Sequence, residues 1–177
     1  LKRAGCWSIQ FGFESGSQRI LDFIHKDTTI KQNIEAIKQC KKFGIFVDGS
    51  FMIGLPTETI SEMNETVNFI KVYKPDAVDI KLFKPFPSTD LFNYAIQKNL
   101  IKKPEKLEEW IDFCDVRSGS VNISNIPTPK LLKSIEELSK TSYGIYFKKM
   151  WLLILGGHIR YALHKTKNII KFKLGLN

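Results

Sequence analysis

Three times in about the first 100 residues, a short apolar run gives way to a turn and then to a stretch of helical periodicity. Cys6 to Phe13 places Ile9, Phe11 and Phe13 on one side and stops at Glu14-Ser15-Gly16-Ser17, a turn-forming cluster. Ile45 to Ile53 stops at Gly54-Leu55-Pro56, and Ala77 to Phe83 stops at Lys84-Pro85-Phe86-Pro87-Ser88-Thr89. After the first run, Ile20, Leu21, Phe23 and Ile24 form a helical turn or two. Thr28 or Thr29 then caps a helix carrying Ile30, Ile34, Ile37 and Cys40 on one face, with Gly44 as its stop. Thr59-Ile60-Ser61-Glu62 reads as a capping box, in which the Thr hydroxyl and Glu carboxylate satisfy two otherwise orphaned amides; that helix runs to about Tyr73, before Pro75. A fourth helix covers about Asp90 to Asn99. This alternation is the rhythm of a parallel sheet with right-handed crossovers. Three units make half of a barrel or an open sheet, and are too few for a closed eight-unit barrel.

The rhythm stops near Lys103. Trp110 to Ile126 reads as irregular, Thr128-Pro129 opens a helix that runs to about Leu155, and Gly156-Gly157 separates it from a last basic helix or tail over His158 to Phe172. The division expected is therefore a βα unit over residues 1–103 and a mainly helical, basic extension over 104–177. Net charge is +9, and eight basic residues with no acidic one follow Glu137. This places the surplus charge in the extension and leaves the rest nearly neutral. Interleaved Phe147, Trp151, Tyr161 and Phe172 fit either a face packed on other parts of a larger enzyme or a peripheral contact with an anionic membrane; a nucleic-acid partner is not expected. The apolar run Met150 to Leu155 is far below the roughly 20 residues of a spanning helix. The three cysteines, Cys6, Cys40 and Cys114, lie too far apart in sequence for a local metal motif or a disulfide framework. Reduced thiols and the lack of a signal-peptide pattern lead to a cytoplasmic expectation. The chain opens on Leu1, almost directly in a strand pattern, so a piece of a longer protein is expected.

Ligands of parallel α/β sheets bind at the C-terminal ends of the strands. The first two strand ends combine small residues with carboxylates and hydroxyls, groups that accept from ribose hydroxyls and from an amino group. The Gly-Leu-Pro corner lets backbone approach a flat ring with no Cβ in the way. On chemistry alone the ligand is polar and nucleoside-like.

The blocks FGFESGSQRILDFIHK, VDGSFMIGLPTET and KLFKPFPSTDLF, in this order and spacing, closely resemble the core of the radical S-adenosylmethionine (SAM) superfamily over about residues 1 to 103. The likeness is strongest to its members with a cobalamin-binding domain, which include methyltransferases and the anaerobic cyclase of chlorophyll precursors. The resemblance implies an α/β fold, the C-terminal half of a partial (β/α)6 TIM-like barrel, with strands four to six present here. It implies SAM-binding roles by position. Glu14 and Ser15 would lie at the ribose and methionine end, Lys26 near the SAM carboxylate and Ser50 within reach of the ribose. Met52, Ile53 and Gly54 would pack on adenine, with Phe83, Lys84 and Pro85 near the same ring. Implied with them are a reductant, a small-molecule substrate, and a 4Fe-4S cluster whose reduced form splits SAM to methionine and a 5′-deoxyadenosyl radical. Cobalamin is left open as a further cofactor. One departure matters: the family's CxxxCxxC cluster motif and its Gly-Gly-Glu segment do not occur in these 177 residues. The cluster ligands are therefore expected in a missing N-terminal part, and this polypeptide alone is expected to be inactive. Rival readings are a tRNA methylthiotransferase-like enzyme of the same superfamily, an aldolase-like or phosphate-binding barrel, and a non-catalytic module that binds membrane or a partner. The three histidines, His25, His158 and His164, have no partner at ligand spacing.

Overall fold

Alternation in three strands decides which side of the sheet meets the helices. A computed structural model of the chain describes residues 1–114 and 122–173. It contains β1 (Ser8–Glu14), β2 (Phe46–Ile53) and β3 (Ala77–Leu82), hydrogen-bonded in parallel in the order β1-β2-β3. Successive side chains of a strand point to opposite faces. Phe13, Val47, Phe51, Ile53 and Val78 therefore share one face, where all are buried with Ile37 and Cys40 of α2 (Ile30–Lys42) and with Met63, Phe69 and Ile70 of α3 (Ile60–Tyr73). Each such side chain contributes roughly 1.5–3 kcal/mol on leaving water, so this face is where the sheet and its helices are held together. The opposite face carries Gln10, Gly12, Asp48, Ser50, Met52, Asp79 and Lys81, in register as Gln10–Asp48–Ala77, Gly12–Ser50–Asp79 and Met52–Lys81.

The connecting helices begin and end where side-chain chemistry directs. Thr29 and Thr59 each form a complete capping box, with Gln32 and Glu62. The helix before α2 is short, α1 (Gln18–Phe23), and α4 (Asp90–Gln97) starts at Thr89, whose hydroxyl accepts from the Phe92 amide at 3.3 Å. The open three-stranded parallel sheet agrees with the βα reading. The irregular stretch expected from Trp110 needs correction, because α5 (Leu107–Cys114) is helical there; its Leu-Glu-Glu-Trp start puts two acids in the first turn, favourable to the helix dipole. Residues 115–121, the middle of that stretch, lie outside the described residues.

The last two helices are docked on the sheet. Leu131 and Leu138 of α6 (Thr128–Leu155) enter the main core, and the Ser142 hydroxyl donates to the Val78 carbonyl at 2.6 Å, taking up an acceptor on β3. After a Gly-Gly turn, α7 (Ile159–Lys173) crosses the polar face at its lower end. There Tyr161 donates to Asp48 at 2.7 Å, and the Lys165 ammonium pairs with the same carboxylate at 3.0 Å. Lys149 pairs with Asp76, whose other oxygen accepts from the Val47 amide at 2.8 Å. Two lysines of the basic segment are thus part of the fold, which corrects the assignment of its charge wholly to a tail.

Candidate functional site

With α7 over Asp48 and Ala77, the part of the polar face left without a helix among the described residues is its upper end, where β1 and β2 finish. Glu14 lies there because β1 is irregular: the register slips between Gly12 and Glu14, and Glu14 takes φ 62, a left-handed conformation uncommon outside glycine. That turn folds the carboxylate back over Gly12. A Cβ on Gly12 would sit 2.5 Å from Glu14 Oε1 and 3.2 Å from Lys26 Nζ, so the absent side chain is the space the ion pair occupies. Lys26 reaches it from the end of α1, where its amide closes the turn on the Leu21 carbonyl at 3.0 Å, and its ammonium stands 3.1 Å from Glu14 Oε1. One row over, the Ser50 hydroxyl accepts from the Gln10 side-chain Nε2 at 3.3 Å. Asp79 and Lys81 complete the strip with an exposed pair at 3.4 Å.

The other sequence-selected residues fall in three places. Met52 and Phe83 join one apolar cluster with Ile20, Leu55 and Ala95, beside the strip. Pro85 is buried and Lys84 exposed just beyond. Gly54 takes φ 82 at the corner after β2. Ile53 points into the helix-side core, though its carbonyl accepts the Phe83 amide at 2.8 Å. Ser15 is fully buried, with its hydroxyl 3.2 Å from that of Thr66 on α3 and accepting the Ser17 amide at 3.1 Å. The structure therefore brings Glu14, Lys26 and Ser50 together on the uncovered face, sets Met52 and Phe83 at its apolar border, and turns Ser15 and the Ile53 side chain away.

Two residues were not legible as positioning groups in the sequence. Thr66 accepts from the Gly16 amide at 2.9 Å and so holds the turn that follows Glu14. Glu58 is buried, with Oε2 accepting from the Gly54 and Leu55 amides at 2.6 and 3.2 Å, while Oε1 has no hydrogen-bond partner among the described residues. Burial pushes its carboxyl up to about 7 against the pull of those two amides. The second strand end thus spends its carboxylate on its own corner. A glutamate four residues after a glycine at a strand end was the available signal. Close by, Arg19 hydrogen-bonds Glu62 and brings its carboxyl down to about 2, helped by Thr59 and opposed by burial.

Cys6 and Cys40 differ in their surroundings. Cys40 is buried in the core, where desolvation first, then Cys6 and Asp76, push its thiol up, away from the thiolate a metal needs. Cys6 is half-buried, its thiol 3.5 Å from the Ser8 carbonyl. Cys114 ends α5, and its side chain lies outside the described set. Among the described residues no three His, Cys, Asp or Glu side chains come together to hold a metal ion. The donor set of the strip is different in kind. A carboxylate, an ammonium, a hydroxyl and an apolar border match the charged amino-acid end, the ribose and the adenine of SAM.

Comparison with known proteins bears on the same stretch. Residues 1–70 match the family model described as the radical SAM superfamily. The chain is 45% identical over 101 residues to an uncharacterized methyltransferase of Pyrococcus horikoshii, covering 57% of this chain and 22% of that protein. It is 35% identical over 91 residues to the anaerobic magnesium-protoporphyrin IX monomethyl ester cyclase of Rubrivivax gelatinosus, covering 51% and 16%. A protein of Methanocaldococcus jannaschii named for methylthio transfer is 36% identical over 99 residues, covering 54% and 22%. The chain spans less than a quarter of the length of each of these relatives. The matched segment contains β1, the Glu14–Lys26 pair and β2, so residues 1–70 are a radical SAM superfamily segment.

Proposed function

We propose that this chain forms the SAM-holding wall of a radical SAM enzyme that acts on a small-molecule substrate. Its three strands are the last three of a partial (β/α)6 barrel within residues 1–103, and the extension over 104–177 contributes α5, α6 and α7, of which α7 covers the lower end of the polar face. The observation that carries the reading is the Glu14–Lys26 pair folded over Gly12 beside Ser50, on the part of the polar face that no described helix covers. Glu14 accepts from the amino group or ribose hydroxyls of SAM, Lys26 faces its carboxylate, and Ser50 and Gln10 reach the ribose. Met52, the Gly54 corner and the segment Phe83 to Pro85 border the adenine. When bound in the whole enzyme, SAM and a reduced 4Fe-4S cluster supply radical chemistry. The residues of this chain bind and orient. The cluster has no ligand set among the described side chains, so no step through it is assigned to this chain.

Methyl transfer or ring closure, with cobalamin as a further cofactor, is the favoured reaction type, since relatives are named as a methyltransferase and a cyclase. Methylthio transfer is the second reading, favoured by the M. jannaschii relative. Titration calorimetry of the chain with SAM tests the binding claim. Glu14→Gln and Lys26→Met are each expected to weaken binding about tenfold or more, the value of a charge-assisted hydrogen bond, with no loss of melting temperature. Absence of SAM binding, or binding indifferent to both substitutions, would remove the assignment.

A further inference from the structure

The hairpin of α6 and α7 carries a surface that the SAM reading does not use. Phe147, Trp151, Ile154 and Leu155 recur at helical spacing along the last turns of α6, away from the buried Tyr146 and Leu153. Across the Gly156-Gly157 turn, Ile159 and Leu163 continue the exposed apolar positions in the first turns of α7, away from the buried Ala162 and Ile169. Trp151 is 55% exposed, Leu163 65% and Leu155 76%, so this is side-chain surface left in water at the hairpin tip.

The charge around it has one sign. After Glu137 the sequence contains no Asp or Glu. Lys149 and Lys165, on the sheet-facing sides, are neutralised by Asp76 and Asp48. Arg160 and Lys167 lie exposed on the side of α7 that carries Leu163. A protein partner's interface is depleted in lysine relative to the rest of the surface. An apolar strip beside exposed Arg160 and Lys167, on a segment with no Asp or Glu after Glu137, is instead the pattern that suits anionic lipid, with apolar side chains entering the headgroup boundary and Lys or Arg facing phosphates. Among the described residues no helix is long and apolar enough to cross a membrane, so such a contact lies along the surface.

We propose that the α6–α7 hairpin docks on an anionic membrane surface, with Trp151, Leu155, Ile159 and Leu163 inserted and Arg160 and Lys167 facing lipid phosphates. This stands apart from the SAM assignment and holds or fails without it. The test is co-sedimentation of the full chain with vesicles of phosphatidylcholine alone and of equal parts phosphatidylcholine and phosphatidylglycerol, at low and high salt. The expected result is pelleting with the anionic vesicles, weakened by salt, and little with the neutral ones. W151E/L163E and R160E/K167E, both confined to exposed positions, should each lower the bound fraction about tenfold with the circular dichroism spectrum unchanged. Equal pelleting with both vesicle types, none with anionic vesicles, or binding untouched by R160E/K167E overturns the proposal. So does a concentration-dependent dimer that W151E/L163E dissolves, because the strip would then belong to a second copy.

Discussion

Glu14 holds a left-handed backbone conformation that costs of order 1 kcal/mol, and it does so where its carboxylate faces the uncovered part of the sheet. Gly12 is what gives that carboxylate its place. In Gly12→Ala the new methyl meets only the far ends of the flexible Glu14 and Lys26 side chains, so the strand is expected to hold, with stability unchanged or raised by about 0.5 kcal/mol. The pair must move, and SAM affinity is expected to fall about tenfold, read by calorimetry against the melting temperature. Glu58 offers a second prediction. Its folded-state pKa is raised from 4.5 to about 7, so its protonated form favours folding. That contribution is full below about pH 4.5, declines as pH rises, and is lost through about pH 7, at about 3 kcal/mol in all. Glu62 runs the other way: its carboxyl is depressed to about 2, so its stabilisation is present above pH 4.5 and fades as pH falls toward 2. Glu58→Gln keeps an acceptor for the Gly54 and Leu55 amides and removes the charge. Melting temperatures at about pH 5 and about pH 8 should then differ less than in the unchanged protein. An equal difference in both would show that another group sets the pH dependence.

At the scale of elements, α7 is held to the sheet by a carboxylate placed where a strand residue would ordinarily be apolar. Asp48 sits on β2 with almost no exposure, accepting from Tyr161 and Lys165, and burial together with Asp48 raises the Tyr161 pKa strongly. Asp48→Ala leaves the Lys165 ammonium without its counter-charge; a loss of roughly 3 kcal/mol is expected, the low end for a broken buried pair because Lys165 keeps some exposure. Tyr161→Phe removes one hydrogen bond and is expected to cost about 1 kcal/mol. Hydrogen exchange locates the effect: amides of α7 should quicken in both variants while those of α3 stay protected. Uniform quickening would mean that α7 and the sheet open as one unit. Most of the elements were legible from alternation, capping boxes and Gly or Pro stops, since these are set by neighbours a few residues apart. The helix α5 escaped because it is short and runs into a segment rich in Ser and Asn.

For the molecule as a whole, a chain with the proposed SAM-holding strands and no CxxxCxxC is expected to bind SAM without cleaving it. Anaerobic incubation of this 177-residue polypeptide with iron, sulfide and dithionite should release no 5′-deoxyadenosine. Release of it would show that Cys6, Cys40 and Cys114 do gather iron. The sequence by itself determined the parallel βα order, the apolar face of the sheet and the superfamily, because periodicity and strand-end motifs are local. It also brought forward Glu14, Lys26 and Ser50, which stand on β1 and β2 or directly after α1. Tertiary structure alone decided that Ser15 is spent on Thr66 and that Asp48 and Asp76 take Lys165 and Lys149 from the basic segment. Each of these pairings joins a polar group to another that sequence pattern does not link to it. Which polar residues remain for a ligand is known only after the others have found partners, since a buried charge or hydroxyl left unpaired costs more than the fold can spare.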